Sequence, residues 1–141
     1  MPEGPAWGRL QRGEPVTGDG GGEVRPEQVL GPDREGRKIA YITDTRPCRG
    51  AVELARGADL VFMEGMFEDE MADEANKKGH QSVLQAAQQL REAEARRAVI
   101  VHWSPRYAND DLERVLEPAR DVFPALEAGR DLARYEIPVK G

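Results

Sequence analysis

Cysteine occurs once in these 141 residues, at Cys48, and histidine twice, at His80 and His102. A single thiol excludes an internal disulfide and any zinc cluster built on several thiolates. Long apolar runs are missing as well. None exceeds four or five residues, far short of the ~20 that a membrane-crossing helix needs. The opening "MPEGPAWGRL" lacks the basic-then-apolar order of a secretory signal, so a cytoplasmic protein is expected. Positive charge is in deficit, with 20 basic against 26 acidic residues and a net charge of -6. That balance argues against a protein that coats nucleic acid by bulk electrostatics. Contact with RNA or DNA would have to come from local basic groups, or from a metal site facing a phosphate.

What is present is a water-soluble globular composition, 39% hydrophobic and 33% charged, long enough for one domain with a modest core. Residues 1 to about 38 are rich in Gly and Pro. Within them "EPVTGDGGGEVRP" reads as a short hairpin around a Gly-rich turn. "RPEQVLG" reads as one helical turn opened by Pro26 and closed by Gly31. From Lys38 onward apolar β-branched runs alternate with helical patterns. "KIAYIT", "ADLVFME" and "RAVIVH" predict buried strands ending at Asp44, Glu64 and His102. Between them "RGAVELARG" predicts a short helix closed by Gly57. "FEDEMADEANKKG" predicts a helix with early acids, late lysines and Gly79 as its cap. "QSVLQAAQQLREAEA" predicts a helix with Val83, Leu84, Ala87 and Leu90 on its apolar face. "NDDLERVLEPARDVF" predicts another, capped by Asn109 or Asp110 and kinked or ended at Pro118, and "RYEIP" an edge strand.

Alternating strands and helices imply a layered α/β arrangement, in which ligands collect beyond the carboxyl ends of the strands. That rule draws Asp44 and His102 together. A carboxylate oxygen and an imidazole nitrogen suit zinc, a carboxylate can bridge two ions that clamp a phosphodiester, and a neighbouring histidine such as His80 can protonate a leaving alkoxide. Arg106 can hold a phosphate oxygen through its planar fork. Each residue also has a plain structural reading. His102 can cap a strand end, Asp44 can cap a turn or helix in "TDTRP", and His80 can face solvent beside Gly79. Arg106 and Tyr107 can be surface residues, and Cys48 a small half-buried residue at a helix start or a reactive thiol.

Beyond spacing, the ordered motifs "GPAWGRLQRGEPV", "RPEQVLGP", "GRKIAYITDTRP", "ELARGADLVFMEGMF", "KGHQSVLQAA" and "VIVHWSPRY" resemble the C-terminal half of ribonuclease Z (tRNase Z) over nearly the whole chain. That family consists of zinc-dependent endoribonucleases with a metallo-β-lactamase fold that remove the 3′ trailer from precursor tRNA. The resemblance implies that Asp44 is the metal-bridging aspartate and His102 a zinc ligand. It makes Arg106 a contact to the scissile phosphate, His80 the proton donor and Glu64 its supporting carboxylate. "GPAWGRL" is similar to the Gly-Pro motif of the arm that grips the tRNA body, with Arg9 and Arg12 as its basic contacts.

The chain departs from the family where the resemblance ends. The His-x-His-x-Asp-His motif is absent, as is a further ligand histidine, so Asp44 and His102 supply only part of a two-zinc site. Thr43 replaces a glycine, Met63 a histidine, and Gln81-Ser82 a Ser-Thr pair. The expected fold is therefore half of an αββα sandwich. Residues 38–141 would form one mixed sheet with flanking helices, and residues 1–37 a partial tRNA-binding arm with its hairpin. One sheet face should be left apolar, to be covered by a missing N-terminal half or by a second copy in a homodimer. Three functions compete: a 3′-processing endonuclease half acting on precursor tRNA, a catalytically inactive module that dimerises or binds tRNA, and another hydrolase of the same superfamily.

Overall fold

The computed structural model describes residues 4–32, 35–108 and 110–139. The backbone contacts divide into two compact units, one up to residue 35 and one from residue 36 onward.

In the first unit, helix α1 (Pro5–Gln11) starts on a proline, whose missing N–H costs nothing in a first turn, and buries Leu10. Strands β1 (Val16–Thr17) and β2 (Glu23–Val24) form the antiparallel hairpin. Its turn closes through Gly18 N–H to the Gly22 carbonyl at 2.8 Å and needs Gly21 at a φ of 77°. Helix α2 (Pro26–Val29) is one turn, ended by Leu30 rather than by Gly31, with the Leu30 N–H bonded to the Pro26 carbonyl.

The second unit runs β3 (Ile39–Ile42), α3 (Arg49–Ala55), β4 (Leu60–Glu64), α4 (Ala72–Lys77), α5 (Val83–Glu92), β5 (Ala98–Val101), α6 (Leu112–Arg120) and β6 (Leu126–Ala128). A 3-10 turn over Asp69–Met71 leads into α4, so the acidic segment is two short pieces rather than one helix. The strands lie in the order β3-β4-β5-β6. All three pairings are parallel, so this sheet is not mixed, and among the described residues antiparallel pairing is confined to the hairpin. The connectivity agrees with this: parallel neighbours need a crossover, and a helix lies between each strand and the next.

Period-two alternation assigns the faces. Ala40, Ile42, Val61, Met63, Ala98, Ile100 and Leu126 join the buried residues of α3, α5 and α6 in one apolar core. Alanines at 51, 55, 86, 87 and 119 bring the helix backbones close to the sheet. Helix α5 is started by Ser82, whose hydroxyl accepts the Gln85 N–H while the Gln85 side chain accepts the Ser82 N–H. Helix α6 runs through Pro118 instead of breaking there; its described N-cap is Asp111, and Asn109 lies outside the described residues.

The other sheet face carries Ile39, Tyr41, Phe62, Val99 and Val101. Ile39 and Tyr41 keep 58% and 64% of their surface in water, whereas Val99 is buried. "RYEIP" is not an edge strand. It lies along this face, with the Tyr135 ring edge-on to Phe62 at 5.4 Å and the Arg97 guanidinium 5.6 Å from the Tyr135 ring centre. The edge strand is instead "LEA", because Leu126 enters the core opposite Ala98.

Two glycines test the packing in opposite directions. A Cβ at Gly129 would stand 2.6 Å from the Ile100 carbonyl oxygen, a backbone atom held in the sheet. Gly129→Ala should therefore lower the unfolding free energy by about 1–3 kcal/mol. Gly50 lies inside α3 with nothing within 4 Å of its added Cβ, and Gly50→Ala should raise it by roughly 0.5–1 kcal/mol. Urea titrations of the two variants read both signs.

Candidate functional site

Strands β3, β4 and β5 are neighbours, so their carboxyl ends deliver Asp44, Glu64 and His102 to one edge of the sheet. Glu64 is the last residue of the strand between the other two. Asp44 and His102 both take left-handed backbone, at φ 52° and 59°, a conformation that costs a non-glycine residue about 1–3 kcal/mol. The chain thus turns sharply just after β3 and after β5, and both sharp turns fall on residues that bear potential ligands.

Glu64 is fully buried, and a buried carboxylate is tolerated only when its oxygens find donors. Oε1 accepts the backbone N–H of Thr45. Oε2 lies 3.0 Å from His80 Nδ1 and 3.8 Å from His102 Nδ1. The first distance is a hydrogen bond and the second is too long for one. A carboxylate oxygen accepts, so Nδ1 of His80 donates, and Nε2 is the nitrogen that carries the lone pair in the neutral ring and a proton in the charged one. On the other side of the cluster His102 Nε2 stands 3.3 Å from Asp44 Oδ1, and the two imidazole rings are 5.1 Å apart. One ligand atom from each of Asp44, His80 and His102 lies within 4.8 Å of the others. A carboxylate oxygen and two imidazole nitrogens make a donor set that fits zinc.

Two glutamines hold this arrangement from behind. Gln81, fully buried, donates Nε2–H to the Glu64 carbonyl at 3.0 Å. Gln89 donates to Gln81 Oε1 at 2.5 Å and accepts the Cys48 N–H at 3.2 Å. The loop from Asp44 to Cys48 is therefore pinned twice, by Glu64 and by Gln89. Sequence reasoning treated Gln81 only as a departure from a motif and passed over Gln89. The available signal was an amide at position 89 beside Leu90, on the buried side of an otherwise apolar helix.

The remaining candidates are placed differently. Arg106 lies over the Phe67 ring, 5.0 Å from its centre, with Nη1 2.7 Å from Met71 Sδ. Tyr107 is half-buried, and its hydroxyl accepts the Glu68 N–H at 3.1 Å, tying down the "SPRY" loop. Arg9 and Arg12, in the first unit, both pair with Glu14, at 3.0 and 3.3 Å. Their guanidinium groups hold the Glu14 carboxyl below the ordinary range. Cys48, not Asp44, is the N-cap of α3, and it is exposed rather than half-buried. The Ala51 N–H, then the Thr45 hydroxyl, lower its thiol pKa against a smaller opposing effect of burial.

With this geometry in view, the class of the protein follows. The family model for the beta-lactamase superfamily domain matches residues 18–103, and the chain belongs to that superfamily. A narrower likeness lies within it: the chain is 49% identical to the Ribonuclease Z of Salinibacter ruber over 97% of its own length and 42% of that protein's. The chain spans under half the length of the curated relatives it matches. Among solved structures it is similar to human tRNase Z, short form (ELAC1), with a TM-score of 0.58 at 24% identity, covering 83% of this chain and 37% of that one. It is also similar to the metallo-beta-lactamase fold protein YhfI from Bacillus subtilis, with a TM-score of 0.56 at 22% identity over 65% and 36% of the two chains. At those identities the structural likeness establishes the metallo-β-lactamase fold. The resemblance to ribonuclease Z read from the motifs thus extends along nearly the whole chain.

The hydrogen bonds around Glu64 and Cys48 each yield an expected outcome. Glu64→Ala strands the Thr45 N–H and frees His80, and should destabilise the chain by about 1.5–3 kcal/mol, measured by urea unfolding. Alkylation of Cys48 should rise with pH through a midpoint below that of a free thiol, since the thiolate is the reacting form. Thr45→Ala, which removes one of the two main stabilising donors, should move that midpoint upward.

Proposed function

We propose that the chain supplies the C-terminal half of a zinc-dependent endoribonuclease that removes the 3′ trailer from precursor tRNA. The other half is a segment carrying His-x-His-x-Asp-His. The observation that carries this reading is the gathering of Asp44, Glu64, His80 and His102 at one sheet edge in a chain whose relatives include ribonuclease Z.

In this reading Asp44 and His102 hold metal. When bound, the metal polarises the phosphodiester and activates water. His80 delivers a proton to the leaving alkoxide while Glu64 fixes its ring through Nδ1, so that the proton moves through Nε2. Arg106, on an exposed loop, leaves the Phe67 ring to meet a phosphate oxygen. Residues 1–37 form the arm, and Arg9 and Arg12 exchange Glu14 for phosphates of the tRNA body. Residues 38–141 form the half-domain. The exposed Ile39 and Tyr41 belong to the sheet face that receives the second segment. Without that segment, two copies of the chain meet there as a homodimer. Among the described residues no helix is long and apolar enough to cross a membrane.

The experiment is complementation. The chain is mixed, with zinc, with a ribonuclease Z segment bearing His-x-His-x-Asp-His, and a precursor tRNA with a 3′ trailer is added. Cleavage is expected from the mixture and not from either piece. His80→Ala should lower the rate by about 10²–10⁴ with assembly intact. Sedimentation should show a dimer of the chain alone that the added segment dissociates. Assembly without any cleavage would favour the inactive module that binds tRNA or dimerises.

A further inference from the structure

We propose that this chain holds one divalent cation by itself, on Asp44, His80 and His102, and that in this state His80 is a metal ligand instead of a proton donor. The resemblance assigns His80 to proton transfer and leaves only two protein ligands, too few for a stable site. The fold supplies the third.

The geometry carries the argument. Two ligands bonded at 2.0–2.1 Å to a tetrahedral zinc stand roughly 3.3–3.4 Å apart, and the Asp44 Oδ1 to His102 Nε2 separation is 3.3 Å. A ligand atom of His80 lies within 4.8 Å of a ligand atom of each, which makes His80 the third donor of the group. Buried Glu64 accepts Nδ1–H of His80 and leaves Nε2 for a cation. A carboxylate–histidine pair of that kind orients ligand imidazoles in zinc sites. Charge points the same way: two carboxylates, Asp44 and Glu64, face two imidazoles, and Arg106 is engaged with Phe67 and Met71 instead. Asp44 and His102 both stand in left-handed backbone, at φ 52° and 59°, where the chain turns after β3 and β5. Three protein ligands with a fourth position open is the coordination of a catalytic zinc. When a second segment brings its own imidazoles, the cation gains other donors and His80 is released for proton transfer.

This inference needs neither tRNA nor a second segment, so it stands or falls apart from the cleavage reading. The sequence offers a direct test, because His80 and His102 are its only histidines. Untagged protein labelled with ¹⁵N-histidine is titrated with Zn²⁺ and followed by long-range ¹H–¹⁵N spectra of the imidazoles. Both rings should shift together and saturate at one equivalent, with Nε2 of His80 moving most on that ring. Calorimetry should give one Zn²⁺ per chain. Glu64→Gln should weaken binding by about tenfold to a hundredfold, and His80→Gln by at least as much. A shift confined to His102, or unchanged Zn²⁺ affinity in a His80→Gln protein with parental circular dichroism, would overturn the proposal. The spectra of the unmutated chain decide the matter even where a variant fails to fold.

Discussion

The buried carboxylate of Glu64 is the constraint on which the rest of the site depends. It ends the strand between β3 and β5 with none of its surface in water, so both oxygens must be met by protein donors. The donors come from separate parts of the chain: the Thr45 N–H from the loop after β3, and the His80 imidazole from the loop before α5. Satisfying one buried charge therefore fixes two loops relative to a strand. His102 then arrives from the adjacent β5 by sheet register alone, since Glu64 pairs with Val101.

Around this centre the fold divides its labour between faces and ends. The helix-covered face is a conventional apolar core, with alanines letting α3, α5 and α6 sit close to the strands. The carboxyl edge carries the polar residues and the two left-handed turns. Those turns follow β3 and β5, which belong to one continuous parallel sheet. The Gln81–Gln89 pair joins the two regions, bringing a polar connection from the buried side of α5 to the Cys48 backbone. Such a chain of amides specifies one arrangement only when each member is satisfied, and here each is.

The opposite sheet face explains the relation to longer relatives. A metallo-β-lactamase fold stacks two sheets, whereas the described residues of the second unit form a single four-stranded sheet whose second face is covered only in part, through Tyr135 beside Phe62. Ile39 and Tyr41 stay exposed. Among the described residues, Asp44, His80 and His102 form the group of potential ligands gathered at the carboxyl edge of that sheet.

Much of this was legible from local pattern. Apolar β-branched runs marked β3, β4 and β5, the Gly-rich turn marked the hairpin, and the 3.6-residue period marked α5, because each is decided by residues close in sequence. The polar residues ending the strands also stood out, and with them Asp44, Glu64 and His102 as a set. What local pattern missed depends on distant partners. "RYEIP" has the composition of a strand but lies across the sheet beside Phe62, while the plainer "LEA" becomes the edge strand because Leu126 fits the core opposite Ala98. Nor does local pattern show where Arg106 rests, over the Phe67 ring and beside Met71. The sequence by itself determined β3, β4, β5, the hairpin, α3, α5 and α6 with their order, and the residue types available for chemistry, since periodicity and composition are local properties. Only the tertiary structure decided that the sheet is parallel throughout and that His80, remote from both strand ends in sequence, closes a cluster with Asp44 and His102. The physical reason is the Glu64 carboxylate, whose burial demands donors that no local pattern reveals.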